Sequence, residues 1–496
     1  MANSHIITFI QNLSEAETKI AEDYLQKSKA LFSESAESKE LQFFKYLVLN
    51  RSRPISDEEI VKAIPIKDLS HLKINVYNKV LESLTLDKHI FNASIFNEYD
   101  SVIFSLKKKI LTFKINLRCI NQGKTEGLKE LLNDIIKEAL EYEVYDVLIE
   151  ALTAKKYFIS IRIGINEFNK INEEIDFYSV CVKALYYAND CYYKIILSND
   201  LIKSLSEKEV DKHIQSSIKQ MEIDYKRTKS QQINYYLHIL KFALSERQKN
   251  YSLAIKQCNQ LIELFKKSKI TYRKERVGNA LLNLCQFKIF AGDYISAAKD
   301  AKKAREYYIE NSFDDLVTTE QEFHAYFYDK EYEKAEKCVN RLLNHSSDDA
   351  GEFRKSKFSY YQACILFATG KYKEALQLLN TSLEIEKDKS RWNVSLRILN
   401  IQLFIELNKI DEASNSLESL RKYMERTGKT EEIKPRDILI VKLLREMEKD
   451  GFMLELENKA VTKLLKELSE KDGSASWEHY SSELIPFHDW LNKKSK

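Results

Sequence analysis

Proline is almost missing from this chain. Its 496 residues contain four, at Pro54, Pro65, Pro435 and Pro486, so the span from 66 to 434 has none; average usage would place roughly eighteen there. Glycine is nearly as scarce, with ten. Sandwiches and barrels need Gly/Pro-rich turns at short intervals, and doubly wound sheets need glycine at their strand–helix turns. Neither supply exists, so the fold class is read as all-α. The seven cysteines (Cys119, Cys181, Cys191, Cys258, Cys285, Cys338 and Cys364) include no CxxC pair. They fall in apolar helical patterns, as reduced core thiols would. No apolar run approaches the ~18 residues of a membrane span, and the opening MANSHIITFIQNLSEAE lacks a basic leader region. A soluble, cytoplasmic protein with no membrane partner is expected. Charge of one sign is also missing: 78 basic against 75 acidic residues leave +3, too balanced to announce a nucleic-acid or membrane surface. The Lys-, Asn- and Ile-rich composition points to an AT-rich bacterial genome.

Repetition fills the chain instead. Five segments align without gaps: KNYSLAIKQCNQL (249–261), GDYISAAKDAKKA (292–304), KEYEKAEKCVNRL (330–342), GKYKEALQLLNTS (370–382) and NKIDEASNSLESL (408–420). Tyr251, Tyr294, Tyr332, Tyr372 and Ile410 are each followed three residues later by Ala254, Ala297, Ala335, Ala375 and Ala413, and successive alanines lie 43, 38, 40 and 38 residues apart. Physically this is a repeated helix–turn–helix. Gly292, Gly370 and Asn408 suit the left-handed residue that ends a helix, a role for which Lys249 and Lys330 are poorer choices. The aromatic residue opens the second helix, and the alanine lets two helix axes approach. An apolar-periodic helix precedes every turn. One such hairpin cannot bury its own face, so neighbours must stack.

On these residues, about 233–425, the chain resembles the tetratricopeptide repeat family. GKYKEALQLL is the best example: Gly370, Tyr372 and Ala375 stand where the family's Gly–Tyr–Ala trio stands, and Ala363 falls on the small residue of its first helix. The family's closing proline and early tryptophan are missing, and the period exceeds its ~34 residues. The resemblance implies an α-solenoid whose first helices line a concave groove, and partners of such repeats usually lie in that groove.

The expected organisation is an N-terminal helical domain at 1–91, degenerate helical hairpins at 92–230, the tetratricopeptide-like array at 231–433, and C-terminal capping helices with a tail at 434–496. Ser14-x-x-Glu17 and Ser56-x-x-Glu59 are capping boxes that start helices. Gly123–Gly127 and Asn166–Asn172 read as interhelix turns, and KPRD at 434–437 as a break.

Catalytic signatures are missing too. Gly123-Lys124-Thr125 and Gly428-Lys429-Thr430 mimic the end of a phosphate loop, but Arg118 and Tyr423 stand where its first glycine is needed. His479 and His488 match no metal template; an aromatic tail packing on the last helices accounts for them. The acidic pairs Asp314–Asp315 and Asp348–Asp349 read as solvated turn residues. Neither a metal nor a cofactor is implied, and the chain is read as a non-enzyme.

The function expected is that of a protein-interaction scaffold or adaptor holding a protein or peptide partner in the groove. The resemblance places Tyr236, Asn279, Gln286, Glu320, His324, Tyr328, Lys357, Tyr360, Ser395 and Gln402 as exposed first-helix candidates. A family subset clamps C-terminal carboxylates with Lys, Asn and Arg, but here Leu282 and Gln286 occupy aligned positions, so no such clamp is expected. The alternative is a regulator. EEIVKAI, a KDL turn and SHLKINVYNKVLESL are spaced like a helix-turn-helix, which would offer His71, Lys73, Asn75 and Asn78 to DNA while the repeats sense a peptide. Some bacterial regulators join such a module to a tetratricopeptide array, and the chain resembles them in architecture. The basic runs KKSKITYRKER (266–276) and LKKKI (106–110) read as solvated helix faces.

Overall fold

The computed structural model describes residues 4–30, 38–51, 53–66, 68–86, 98–118, 126–197, 207–344, 351–381, 391–429, 432–454, 457–470 and 473–494. Every regular element among them is helical. The chain forms two compact units, one of residues 1–187, 224–233 and 269–271, the other of 188–223, 234–268 and 272–496.

In the first unit, α1 (Ser4–Gln11), α2 (Glu15–Ala30), α3 (Lys39–Leu49), α4 (Asp57–Ala63) and α5 (Leu69–Leu86) enclose a core that includes Phe43, Phe44, Leu47, Ile60 and Val76. Both capping boxes form. The Ser14 N–H donates to Glu17 Oε2 at 2.7 Å while the Glu17 N–H donates to Ser14 Oγ at 3.3 Å, and Ser56 Oγ accepts the Glu59 N–H. A second core, around Leu106, Phe113, Leu132, Leu148 and Cys181, is built from α6 (Glu98–Arg118), α7 (Glu126–Glu141), α8 (Tyr145–Ile163) and the first part of α9 (Ile165–Tyr192). One expected turn is corrected here. Asn166–Asn172 lies inside α9, and Gly164 alone, at φ 97°, makes the break, because one left-handed residue suffices to reverse the chain. Gly127 is likewise helical, within α7; residues 123–125 and Asp348–Asp349 lie outside the described residues.

The chain continues through α10 (Glu207–Thr228) into five hairpins: α11 (Gln231–Arg247) with α12 (Tyr251–Lys267), α13 (Lys274–Phe290) with α14 (Tyr294–Arg305), α15 (Phe313–Tyr328) with α16 (Tyr332–Asn344), α17 (Gly351–Ala368) with α18 (Tyr372–Thr381), and α19 (Trp392–Glu406) with α20 (Ile410–Thr427). All five turns have one geometry. Lys249, Gly292, Lys330, Gly370 and Asn408 take φ of 51°, 81°, 63°, 77° and 55°. Each donates its N–H three residues back, and the next residue donates five back, as Gly370 does to Phe367 O (3.0 Å) and Lys371 to Leu366 O (2.8 Å). This double bond closes the orphan carbonyls of the first helix in a Schellman motif. The two lysines therefore adopt the glycine conformation at a steric cost. Ala254, Ala297, Ala335, Ala375 and Ala413 are fully buried. Tyr332 and Tyr372 pack edge-on against Phe327 and Phe367 of their own first helices, whereas Tyr251 and Tyr294 reach forward to Phe290 and Tyr328 of the next hairpin.

In the first unit, the α7–α8 hairpin repeats the turn with an eroded signature. Glu143 has φ 54°, Val144 donates to Ala139 O at 2.8 Å, and Tyr145 follows two residues on, but buried Leu148 replaces the alanine. After the array come α21 (Pro435–Glu448), opened by a proline at its first position where the missing N–H costs nothing, α22 (Lys459–Ser469) and α23 (Phe487–Lys494).

A left-handed backbone costs a side-chain-bearing residue ~1–2 kcal/mol, partly offset by the flexibility glycine adds to the unfolded chain. Lys330→Gly should therefore stabilise the protein by about 0.5–1 kcal/mol, while Gly370→Ala, whose new Cβ meets no atom within 4 Å, should destabilise it by about 1 kcal/mol. Urea denaturation reads both; a less stable Lys330→Gly variant would contradict the shared geometry.

A candidate polypeptide-binding face

The first helices α13, α15, α17 and α19 present a common face, and the chain's own tail lies on it. Residues 473–486 cross it without helical structure and lead into α23, and the contacts of 473–491 divide into three sections. In the first, the Trp477 ring meets the edges of Tyr328 and His479, exposed Glu478 pairs with Lys249 at 3.0 Å, and His479 Nε2 lies 3.1 Å from Tyr294 Oη. Tyr480 places its ring between Phe290 and His324, 5.4 and 4.8 Å away, and its N–H donates to Tyr328 Oη at 3.3 Å. In the second, Tyr360 donates its hydroxyl to the Ser482 carbonyl at 2.9 Å and Ser395 Oγ donates to Ser482 Oγ at 2.8 Å. In the third, Leu484, Phe487 and Leu491 are fully buried, and Trp490 Nε1 donates to Glu406 at 2.6 Å.

Arg436 of α21 anchors the end of the crossing. It is 6% exposed and forks onto Glu483 through Nε (2.5 Å) and Nη2 (2.8 Å). Nη1 donates to Leu468 O and Ala475 O, and Nη2 also lies 3.0 Å from His488 Nδ1. Glu483 Oε1 then accepts the Phe487 N–H, starting α23. A buried ion pair is tolerable when its remaining donors and acceptors are filled in this way. Asp437 beside it is less well served: its Oδ2 has no hydrogen-bond partner. Burial first, and then the charge of Glu483, push its carboxyl from about 3.8 up to about 7, against Lys434 and Arg436.

The ten residues expected on this face divide into groups. Tyr328, Tyr360 and Ser395 bond the tail directly, and His324 stacks on it edge to face. Gln402 lines a small cavity together with Glu483, Ile485 and Phe487 of the tail. Glu320 and Lys357 form a 2.5 Å ion pair behind that surface, with the Tyr361 hydroxyl donating to Glu320 at 2.7 Å. Burial opposes ionisation of Glu320, but hydrogen bonds from His324 and Lys357 and the charge of Lys357 prevail and hold its pKa at about 2. Tyr236 accepts from Asn189 Nδ2, Asn279 Oδ1 accepts the Tyr308 hydroxyl at 2.6 Å, and Gln286 is half-buried. The expectation of exposure is corrected for His324, Tyr360, Ser395 and Gln402, each 3% exposed, because the tail and the neighbouring hairpins cover them. The expectation that the tail packs on the last helices holds at Ala475 and from Glu483 onward, where Arg436 of α21 binds it; residues 477–482 contact earlier hairpins. His479 and His488 serve different neighbours, Tyr294 and Arg436. Burial lowers the pKa of both, that of His479 to about 4.

Sequence reasoning missed Tyr294, Arg436, Trp477, Tyr480 and Glu483. Their signal was compositional: two of the chain's three tryptophans sit in SWEHYSSELIPFHDWL, a density of aromatic side chains that a solvated tail does not need.

The fold of the array follows from the five identical turns and their buried alanines. It is tetratricopeptide-like. No family model matches the chain, and no curated protein does. Among solved structures, the nearly identical TPR-like repeats of a Podosopora anserina kinesin light chain are 15% identical, covering 39% of this chain and 95% of that one at a TM-score of 0.32. The apo form of RapI is 14% identical over 74% and 86%, with a TM-score of 0.43. A Pyrococcus horikoshii signal transduction ATPase with a tetratricopeptide repeat sensor is 13% identical over 89% and 66%, with a TM-score of 0.42. At such overlaps the assignment rests on the chain's own turns.

The DNA-reading alternative loses one contact. Lys73 is 1% exposed and pairs with Asp57 at 2.5 Å, since its position on α5 points into the first unit's packing; His71 and Asn78 are exposed and Asn75 is half-buried. The mimic at Gly428 closes α20, donating to Met424 O at 2.8 Å, and Thr430 lies outside the described residues.

Asp437 sets a pH dependence. The native carboxyl keeps its proton between about pH 4 and 7 where the unfolded one has lost it, so stability falls as pH rises through that window. Asp437→Asn removes the effect. Its gain in melting temperature over the parent should be greatest at about pH 8 and vanish near pH 4; a gain constant with pH would refute the shifted carboxyl.

Proposed function

We propose that this chain is a non-enzymatic, cytoplasmic interaction scaffold that binds a protein or peptide partner in extended form on the first-helix face of α13–α19, without a cofactor. One observation carries this reading: the face already holds a non-helical segment in part through its main chain. Tyr328 accepts the Tyr480 N–H and Tyr360 donates to the Ser482 carbonyl. Bonds to backbone groups give affinity with little demand on sequence, and rings such as Phe290, Tyr294 and His324 add side-chain selectivity. Gln402 lines a small cavity against the tail, and the Glu320–Lys357 pair holds the Tyr361 hydroxyl. No helix among the described residues is long and apolar enough to cross a membrane.

The test is capture from native lysate on the immobilised full chain, split into nuclease-treated and untreated halves. A discrete protein retained in both halves, and reduced by Tyr328→Phe, is expected. Partners lost on nuclease treatment would transfer the function to α4 and α5 and the regulator reading, through exposed His71 and Asn78.

A further inference from the structure

The middle of the tail, residues 476–481, covers the face imperfectly. Tyr480 has φ 62°, a left-handed backbone that side-chain-bearing residues adopt only at a steric cost. Its ring is packed against Phe290 and His324, yet its Oη makes no hydrogen bond. Directly beneath, His324 is 3% exposed and its Nδ1 also has no partner.

The state of that nitrogen follows from the opposite edge of the ring. Tyr361 gives its hydroxyl hydrogen to ionised Glu320, so its oxygen is left to accept from His324 Nε2, 3.4 Å away. The imidazole, kept neutral by burial, therefore carries its proton on Nε2. Nδ1 is left with a lone pair that no donor fills, on a ring whose centroid lies 4.8 Å from that of Tyr480. Two buried polar atoms at one contact go unfilled, each at the cost of its lost hydration.

Both flanks of this stretch are firmly held. Arg436 binds Ala475 O on one side and Glu483 on the other, and the Trp477 indole N–H spans the loop to Glu483 O at 2.8 Å. Between these points residues 476–481 are half-buried or exposed. A pocket of about 640 Å³ opens alongside, lined by Tyr294, Tyr328, Tyr332, Trp477 and Trp490 among others, with room for further side chains of a bound segment.

We propose that residues 476–481 are a self-ligand, displaced in the complex by an extended segment of the partner. That segment puts an aromatic side chain between Phe290 and His324, a backbone N–H on Tyr328, and a hydroxyl, amide or backbone donor on His324 Nδ1. The tail from Ser482 onward stays docked. The proposal rests on the polypeptide-binding reading above and adds the partner's chemistry and the competition for the site.

The probe is a fluorescein-labelled peptide of residues 473–486, titrated by anisotropy against the full chain and against full chain carrying Trp477→Ala and Tyr480→Ala. Binding to the double variant should be roughly tenfold or more tighter than to the parent, since the competing occupant is weakened. It should be lost when the peptide's own Tyr480 is alanine, and weakened by His324→Phe in the chain. Equal binding to both proteins, or to neither, with the variant's helix content intact by circular dichroism, overturns the proposal. Should the double variant not fold, hydrogen exchange of the parent decides: amides of 477–481 exchanging roughly a hundredfold faster than those of α23 support displacement, and equal rates overturn it. Dimers of the parent formed by exchanging this stretch would assign the face to a second copy and also overturn it. A lysate partner retained equally by parent and double variant would overturn the self-ligand while leaving the polypeptide-binding reading intact.

Discussion

Two helices meet at an alanine, and the architecture of the array depends on that contact. Ala254, Ala297, Ala335, Ala375 and Ala413 are buried completely, each one turn into a second helix that starts from a left-handed residue. A larger side chain there would hold the two axes apart, and overpacking of that kind costs ~1–3 kcal/mol. Close approach fixes the hairpin; a hairpin still has an unburied face, which obliges the next hairpin to stack on it. At the first two turns the aromatic residue that starts the second helix also joins one hairpin to the next, because Tyr251 and Tyr294 reach forward to Phe290 and Tyr328.

Stacking in turn brings the first helices into one row rich in rings, and such a row is a poor surface to leave in water. The tail resolves this by lying across it. Its grip has two parts of different character. From Leu484 onward apolar burial and the Arg436–Glu483 fork make the tail part of the array's core. From Trp477 to Ser481 it is held by ring edges, by the side-chain contacts of Glu478 with Lys249 and His479 with Tyr294, and by one backbone bond, Tyr480 N–H to Tyr328, that another polypeptide backbone could replace. The polypeptide-binding reading grows out of this second part, where the protein's own segment shows what the face accepts.

The repeats were legible in sequence because their constraints are local. A Tyr-x-x-Ala pair at a near-constant interval reflects one turn and one helix contact, both fixed within a few residues. Where a different residue fills a role, the pattern hides. Lys249 and Lys330 take the glycine conformation because the following helix and its Schellman bonds impose it, not because lysine prefers it. The α7–α8 hairpin, within the degenerate hairpins expected at 92–230, lacks the Tyr-x-x-Ala pair since Leu148 occupies the alanine position. Asn166–Asn172 looked like a turn from residue type alone, yet Gly164 had already made the reversal. The candidate face was legible only as a register on first helices. That His324, Tyr360, Ser395 and Gln402 lie beneath a cover, and that Arg436 and Glu483 meet across 47 residues, are tertiary facts with no periodic trace.

The measurement that bears most directly on the account is photocrosslinking from position 480 of the full chain, with Tyr480→p-benzoylphenylalanine and peptide mapping. Crosslinks to the peptides carrying Phe290 and His324 are predicted, since those two rings enclose the Tyr480 side chain. Crosslinks confined to α21–α23, or their complete absence, would contradict a tail segment lying on the first-helix face.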